Sequence, residues 1–276
     1  MKLHVRQLFD PSAYTDTDAA SGTISVVNPR VLPVVFLHGF MGSGADWDRC
    51  KIPGTLKGFA VDLPGHGLSI DLPSEAYEFS NVADGLLAAL NDAGISEMDL
   101  VGYSMGGRVA LEFAWRFPNL VRNLVIESTS PGLSSEEARE KRAESDAAWA
   151  EQLRTDRDLF HQKWLAADLF SSIRKKPEIM KILICERRSG DAREWARALE
   201  GLGQARQRDF CPWLADTNIK LTCISGALDQ KYTEIASELS LKNERIRHIT
   251  VPDAGHNVHL ERPEMYLQTL QDILAD

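Results

Sequence analysis

Between Val31 and Glu127, short apolar runs alternate with stretches of helical spacing, and few folds can absorb that rhythm. Val31–Leu37 is apolar and β-branched and ends at His38-Gly39, the signature of a buried strand. Phe59–Asp62 reads as a second strand, closed by Leu63-Pro64-Gly65-His66-Gly67. Asn81–Ala93 has helical spacing and stops at Gly94. Met98–Val101 is again a strand, Met105–Phe117 a helix ended by Pro118, and Leu124–Glu127 a strand. Strand–helix alternation predicts an α/β protein, with a mostly parallel central sheet covered on both faces. Upstream, residues 1–11 and 23–27 read as short strands around the polar loop Ser12–Gly22.

The rhythm breaks after Glu127. Residues 133–209 show helical periods and almost no strand signal, with 16 Lys and Arg against 15 Asp and Glu. The rest of the chain holds 15 basic and 25 acidic residues, so more than half of the cations sit in the helical segment. Strand signals return at Lys220–Ser225 and Arg245–Val251, and a last helix spans Pro263–Leu274. The simplest architecture is a core of residues 1–130 and 210–276, with a helical cap of residues 131–209 inserted after the sixth strand. No internal repeat or low-complexity tract interrupts it.

Composition narrows the partners. With 31 Lys and Arg against 40 Asp and Glu, the formal charge is −9, which disfavours nucleic acid. No apolar run reaches the roughly 18 residues of a membrane span. Met1–Arg6 lacks the apolar stretch of a signal peptide, and Cys50, Cys185, Cys211 and Cys223 form no CxxC pair. Free thiols in a reducing, cytoplasmic setting are expected, with no membrane partner and no metal site. The oligomeric state leaves no mark in the sequence.

Gly102-Tyr103-Ser104-Met105-Gly106 is a G-x-S-x-G string, weak by itself but placed between a strand and a helix. Small residues permit the sharp turn that lifts the Ser104 hydroxyl out of the sheet, and the helix N-terminus behind it favours developing negative charge. A serine nucleophile needs a base, and the base a carboxylate, in the chain order Ser, acid, His. His256, after the last strand, and Asp229, after Lys220–Ser225, fill those roles at strand C-terminal ends. Their rivals are His259, which reads as packing or capping, and Asp253, too close in sequence to fold back under the imidazole. The backbone amides of Phe40 and Met105 would form an oxyanion hole; His66 reads as structural. Arg108, four residues after Ser104, shares its helix face one turn deeper. It is either a carboxylate-binding group or half of a structural ion pair. Arg139, Arg142, Arg187 and Arg188 of the helical segment, taken as a set above Arg108, favour an acidic substrate.

These residues together resemble the α/β-hydrolase superfamily, and more narrowly its 2-succinyl-6-hydroxy-2,4-cyclohexadiene-1-carboxylate (SHCHC) synthases of menaquinone and phylloquinone biosynthesis. The narrower likeness is carried by Gly102–Ala110, Ser130-Pro131-Gly132-Leu133, Arg142 with Asp146 and Trp149, Trp164 with Leu169-Phe170, Gly226–Asp229 with Lys231-Tyr232, and Ala254–His259. It implies an α/β-hydrolase fold and an enzyme that removes pyruvate from a succinyl-cyclohexene carboxylate, a small polycarboxylate substrate, with no cofactor. It also implies that Arg108, Arg142 and one of Arg187 or Arg188 bind carboxylates. Arg188 stands in the expected set and Arg187 is its open alternative, because the spacing from Phe170 is longer than the family pattern. Tyr103, Trp164 and Phe170 match the family's pocket, and Lys231 and Tyr232 join the expected binding residues. A serine-triad hydrolase acting on an acidic substrate is the first alternative, and a non-catalytic ligand-binding protein the second.

Overall fold

The computed structural model describes residues 1–8, 32–53, 56–187 and 190–275. The strand read at 23–27 and the loop at 12–22 lie outside these residues.

Among the described residues seven strands form one sheet: β1 (Val5–Leu8), β2 (Val34–Leu37), β3 (Gly58–Val61), β4 (Met98–Tyr103), β5 (Val121–Glu127), β6 (Lys220–Gly226) and β7 (Ile246–Val251). Their spatial order is β1-β3-β2-β4-β5-β6-β7; β1 pairs antiparallel with β3 and every other pair is parallel. Among the described residues the helical insertion therefore follows the fifth strand. Side chains alternate across a strand, so a wholly apolar strand must be covered on both faces. In β2, Val35 and Leu37 face the cluster built with α1 (Phe79–Asp92) and α2 (Met105–Arg116), whereas Val34 and Phe36 face the one holding Trp47, Tyr266 and Leu270. The helix expected over Asn81–Ala93 begins two residues earlier, and Gly94, at φ +73°, turns the chain out of it.

Between β5 and β6 come α3 (Glu136–Thr155), α4 (Arg157–Ala166), α5 (Pro177–Glu186), α6 (Ala192–Leu202) and the short α7 (Cys211–Asp216). Ala150, Leu153, Phe160, Trp195 and Leu199 of α3, α4 and α6 make a small apolar core of their own, closed against the sheet side by Met41. After β6 comes α8 (Gln230–Lys242), and after β7 come α9 (Val258–Glu261) and α10 (Pro263–Ala275). Among the described residues no helix is long and apolar enough to cross a membrane.

Candidate active site

β4 ends at Tyr103 and α2 begins at Met105, so Ser104 alone makes the turn, at φ 50° and ψ −106°. A non-glycine residue held there stores backbone strain of about 1–3 kcal/mol. The neighbouring glycines explain how the turn is packed. A β-carbon on Gly106 would sit 2.3 Å from the Leu37 carbonyl oxygen, and one on Gly102 2.5 Å from the Gly106 carbonyl oxygen. Gly107 faces Thr129, whose hydroxyl would lie 1.9 Å from an added β-carbon.

Two turns bring the partners to the serine. The Ala227 and Leu228 amides donate to the carbonyls of Val251 and Ala254, which docks the end of β6 on the turn after β7. His256 Nδ1 then lies 2.8 Å from Asp229 Oδ2, and Nε2 lies 3.2 Å from Ser104 Oγ. With the Nδ1 proton directed at the carboxylate, Nε2 is left as the acceptor facing the serine. Asp229 also caps α8, accepting from the Tyr232 amide at 3.3 Å. The rivals have other duties. Asp253 pairs with Arg262 at 3.1 Å. His259 places Nδ1 2.7 Å from the buried Glu127 carboxylate, which also accepts from the Val258 and His259 amides.

The loop after β2 is held by two buried imidazoles. His38 Nε2 accepts from the Leu63 amide at 2.9 Å, and His66 Nε2 from the Met41 amide at 3.0 Å. Their Nδ1 atoms face the carbonyls of Gly39 and Pro64. Burial pushes both imidazoles below their usual pKa, His66 the further, so both stay neutral acceptors. Phe40 follows on this loop. Met105 is the first residue of α2, where helix geometry leaves the amide without an intrahelical acceptor.

Ser104 and His256 open into a cavity of about 740 Å³ between sheet edge and helical segment. Phe40, Met105, Arg108, Arg142, Trp164, Phe170, Lys231 and Tyr232 all line it. The Arg108 guanidinium reaches the Leu202 carbonyl at 3.0 Å, its Nε has no hydrogen-bond partner, and it pairs with no carboxylate among the described residues. Burial, then the neighbouring Arg142, lowers its pKa to about 10, which leaves it charged at neutral pH. Arg142 is held in place, Nε to Asp146 Oδ1 at 2.8 Å and Nη1 to Gln204 Oε1 at 2.7 Å. Burial and then Arg142 push the Lys231 amine down. Tyr103 lines a narrow extension of about 30 Å³ with Ser104, His256 and Arg187. Arg187 is buried there, one guanidinium nitrogen 3.4 Å from Asp46 Oδ2 and the other without a hydrogen-bond partner among the described residues. Arg188 lies outside the described residues. Arg139 departs from the expected set: its Nε is held by the Leu133 carbonyl at 2.9 Å and it lines a separate cavity with Arg206 and Glu112. Asp46, Gln204, Glu127 and Glu261 were not among the sequence candidates, and each meets at least one side-chain partner across a long separation.

A strained serine elbow, a Ser–His–Asp constellation at the C-terminal edge of a parallel sheet and a helical cover define the α/β-hydrolase class. A family model described as alpha/beta hydrolase fold matches residues 33–263. The 2-succinyl-6-hydroxy-2,4-cyclohexadiene-1-carboxylate synthase of Klebsiella pneumoniae (strain 342) is 34% identical over 246 residues, 88% of this chain and 93% of that protein. Protein PHYLLO, chloroplastic, of Arabidopsis thaliana is 32% identical over 87% of this chain, but the match spans only 15% of PHYLLO. The structure of MenH from S. aureus superposes with a TM-score of 0.86 at 25% identity, covering 100% of this chain and 98% of that one. An esterase from Thermogutta terrifontis, at 24% identity and TM-score 0.79, shares the fold. The chain belongs to the α/β-hydrolase fold family and, within it, to the family of the SHCHC synthases.

Proposed function

We propose that this chain is an SHCHC synthase that eliminates pyruvate from a succinyl-cyclohexene carboxylate, a step of menaquinone or phylloquinone biosynthesis. The observation that carries the reading is Arg108: a buried, charged guanidinium that meets no carboxylate among the described residues, in the same cavity as Ser104 and His256. Burying an unpaired charge is costly, so such a group fits a site built for an anionic ligand.

The chemistry follows from the arrangement. Arg108, Arg142 and Lys231 hold the substrate carboxylates, with Arg187 at the narrow end, and Trp164, Phe170, Tyr103 and Tyr232 supply apolar walls. Ser104 passes its proton to His256 Nε2, which Asp229 orients, and takes the proton from the carbon α to the succinyl ketone. The Phe40 and Met105 amides stabilise the enolate oxygen. The enolate electrons form the new conjugated double bond of the ring as the carbon–oxygen bond to the three-carbon group breaks, and that group departs with a proton as pyruvate. The proposed setting is the cytoplasm and the proposed partner a single small polycarboxylate.

Arg108→Ala tests this reading. It should lower kcat/KM for the anionic substrate by about 2–5 kcal/mol of transition-state binding, the usual cost of truncating one partner of a buried charge pair. Arg108→Lys should restore part of the loss, since an ammonium cannot make the planar two-bond contact. Turnover of neutral p-nitrophenyl esters should change little. Equal losses on both substrates, with a lowered melting temperature, would make Arg108 structural and leave a general hydrolase as the better reading.

A further inference from the structure

α9 is one turn long, yet three parts of the molecule converge on it. Its first two amides are tied to the Glu127 carboxylate at the end of β5. Leu260 packs in a cluster with Phe170, Ile173 and Leu183 of the helical segment. Its last residue, Glu261, has a side chain with no solvent exposure. Glu261 Oε1 accepts from the Gly255 amide at 2.9 Å and from the Ser172 hydroxyl at 2.9 Å. Oε2 accepts from Lys176 Nζ at 2.8 Å, and that ammonium also donates to the Asp253 carbonyl at 2.6 Å. Gly255 and Asp253 belong to the turn that carries His256; Ser172 and Lys176 flank the 3-10 turn Ile173–Lys175. A β-carbon on Gly255 would lie 2.1 Å from Ser172 Oγ, so the two segments touch there. Ser172 and Phe170 also line the cavity beside His256.

A buried carboxylate stripped of its cation is strongly unfavourable, so this network is stable only with both segments in place. We propose that Glu261 is a positioning residue that couples the seating of the 172–176 segment to the aim of His256 at Ser104. The same carboxylate oxygen fixes the residue before His256 and the wall that would contact substrate. Displacing the segment therefore withdraws a hydrogen bond from the histidine's own turn. The reading rests on His256 serving as the base of Ser104, as under Proposed function, and not on the identity of the substrate.

Labelling of Ser104 by a small fluorophosphonate probe tests it, because the reaction needs the Ser–His pair but not the natural substrate. Glu261→Gln keeps an acceptor for Gly255 and turns an amide toward Lys176. The double variant Glu261→Gln, Lys176→Met removes both charges without stranding either. Ser172→Ala cuts only the contact from the 172–176 segment. Labelling should slow about tenfold or more in Glu261→Gln and in the double variant, and by a smaller factor in Ser172→Ala, the scale of a misplaced base. In pyruvate formation kcat should fall by more than KM rises. Variants that melt at lower temperature yet label at the wild-type rate when folded would make Glu261 merely structural and overturn the proposal. If Glu261→Gln fails to fold, the double variant and Ser172→Ala decide in the same way. Slowed labelling without pyruvate formation in any variant, wild type included, would sink the synthase reading and leave this coupling standing.

Discussion

At the residue scale, the serine elbow depends on glycines that cannot be enlarged. Gly107 packs on Thr129, whose hydroxyl donates to the Glu127 carbonyl at 2.9 Å and the Ser104 carbonyl at 3.2 Å. Gly107→Ala would drive a methyl into that hydroxyl. The expected cost is about 1–3 kcal/mol of stability, the range for overpacking a tight core, read by chemical denaturation; an unchanged midpoint would contradict the packing account. Ser104, Asp229 and His256 were legible in the sequence because each sits beside small residues just after a strand, where the chain order of the roles is fixed. Gln204 was not, because it meets Arg142 from a distant part of the chain, and Arg187 was legible only as the alternative to Arg188, because its pairing with Asp46 depends on how distant segments pack. Arg139, one of the set of cations in the helical segment, turns instead to the Leu133 carbonyl and lines a separate cavity.

At the element scale, the β2 loop is a pH-sensitive piece of structure. His38 and His66 have folded pKa values depressed below about 6.5, the ordinary value. The unfolded chain therefore binds more protons than the folded one as pH drops below that value, and stability falls with it. Above about 6.5 the contribution is fully present, and it is lost progressively toward the folded pKa. Protonation would set a donor against the Leu63 and Met41 amides and loosen the loop that carries Phe40. Denaturation at pH 7.5, 6.0 and 5.0 should show the decline, with a flatter slope in His66→Gln; identical slopes would assign the loss to other groups. The expected strands from Val31 to Glu127 were legible because each is a continuous apolar run between turn residues. The helix α8 was not read, because Gln230–Lys242 mixes Ser, Thr and charged residues and buries only Ala236 and Leu239.

At the scale of the whole molecule, a chain of net charge −9 concentrates Arg108, Arg142 and Lys231 in one cavity under a helical cover. Of these three, only Arg142 belongs to the helical segment 133–209 whose share of cations stands out in the sequence, so the convergence itself was not legible there. Attraction between a polyanion in solution and a cationic site that opens to solvent weakens with ionic strength. KM for the succinyl-cyclohexene carboxylate should rise between about 0.05 M and 0.5 M salt, where the Debye length shrinks to a few ångströms. KM for a neutral ester should stay nearly constant, and parallel behaviour of the two would argue against cationic recognition. The most direct test of the central claim supplies the purified chain with that carboxylate and follows, together, pyruvate by a coupled assay and the conjugated ring by its near-ultraviolet absorbance. One pyruvate should appear for each conjugated ring formed, with the rate falling at least about 1,000-fold in a folded Ser104→Ala variant. Ser104-dependent hydrolysis of simple esters with no pyruvate released from the carboxylate would contradict it.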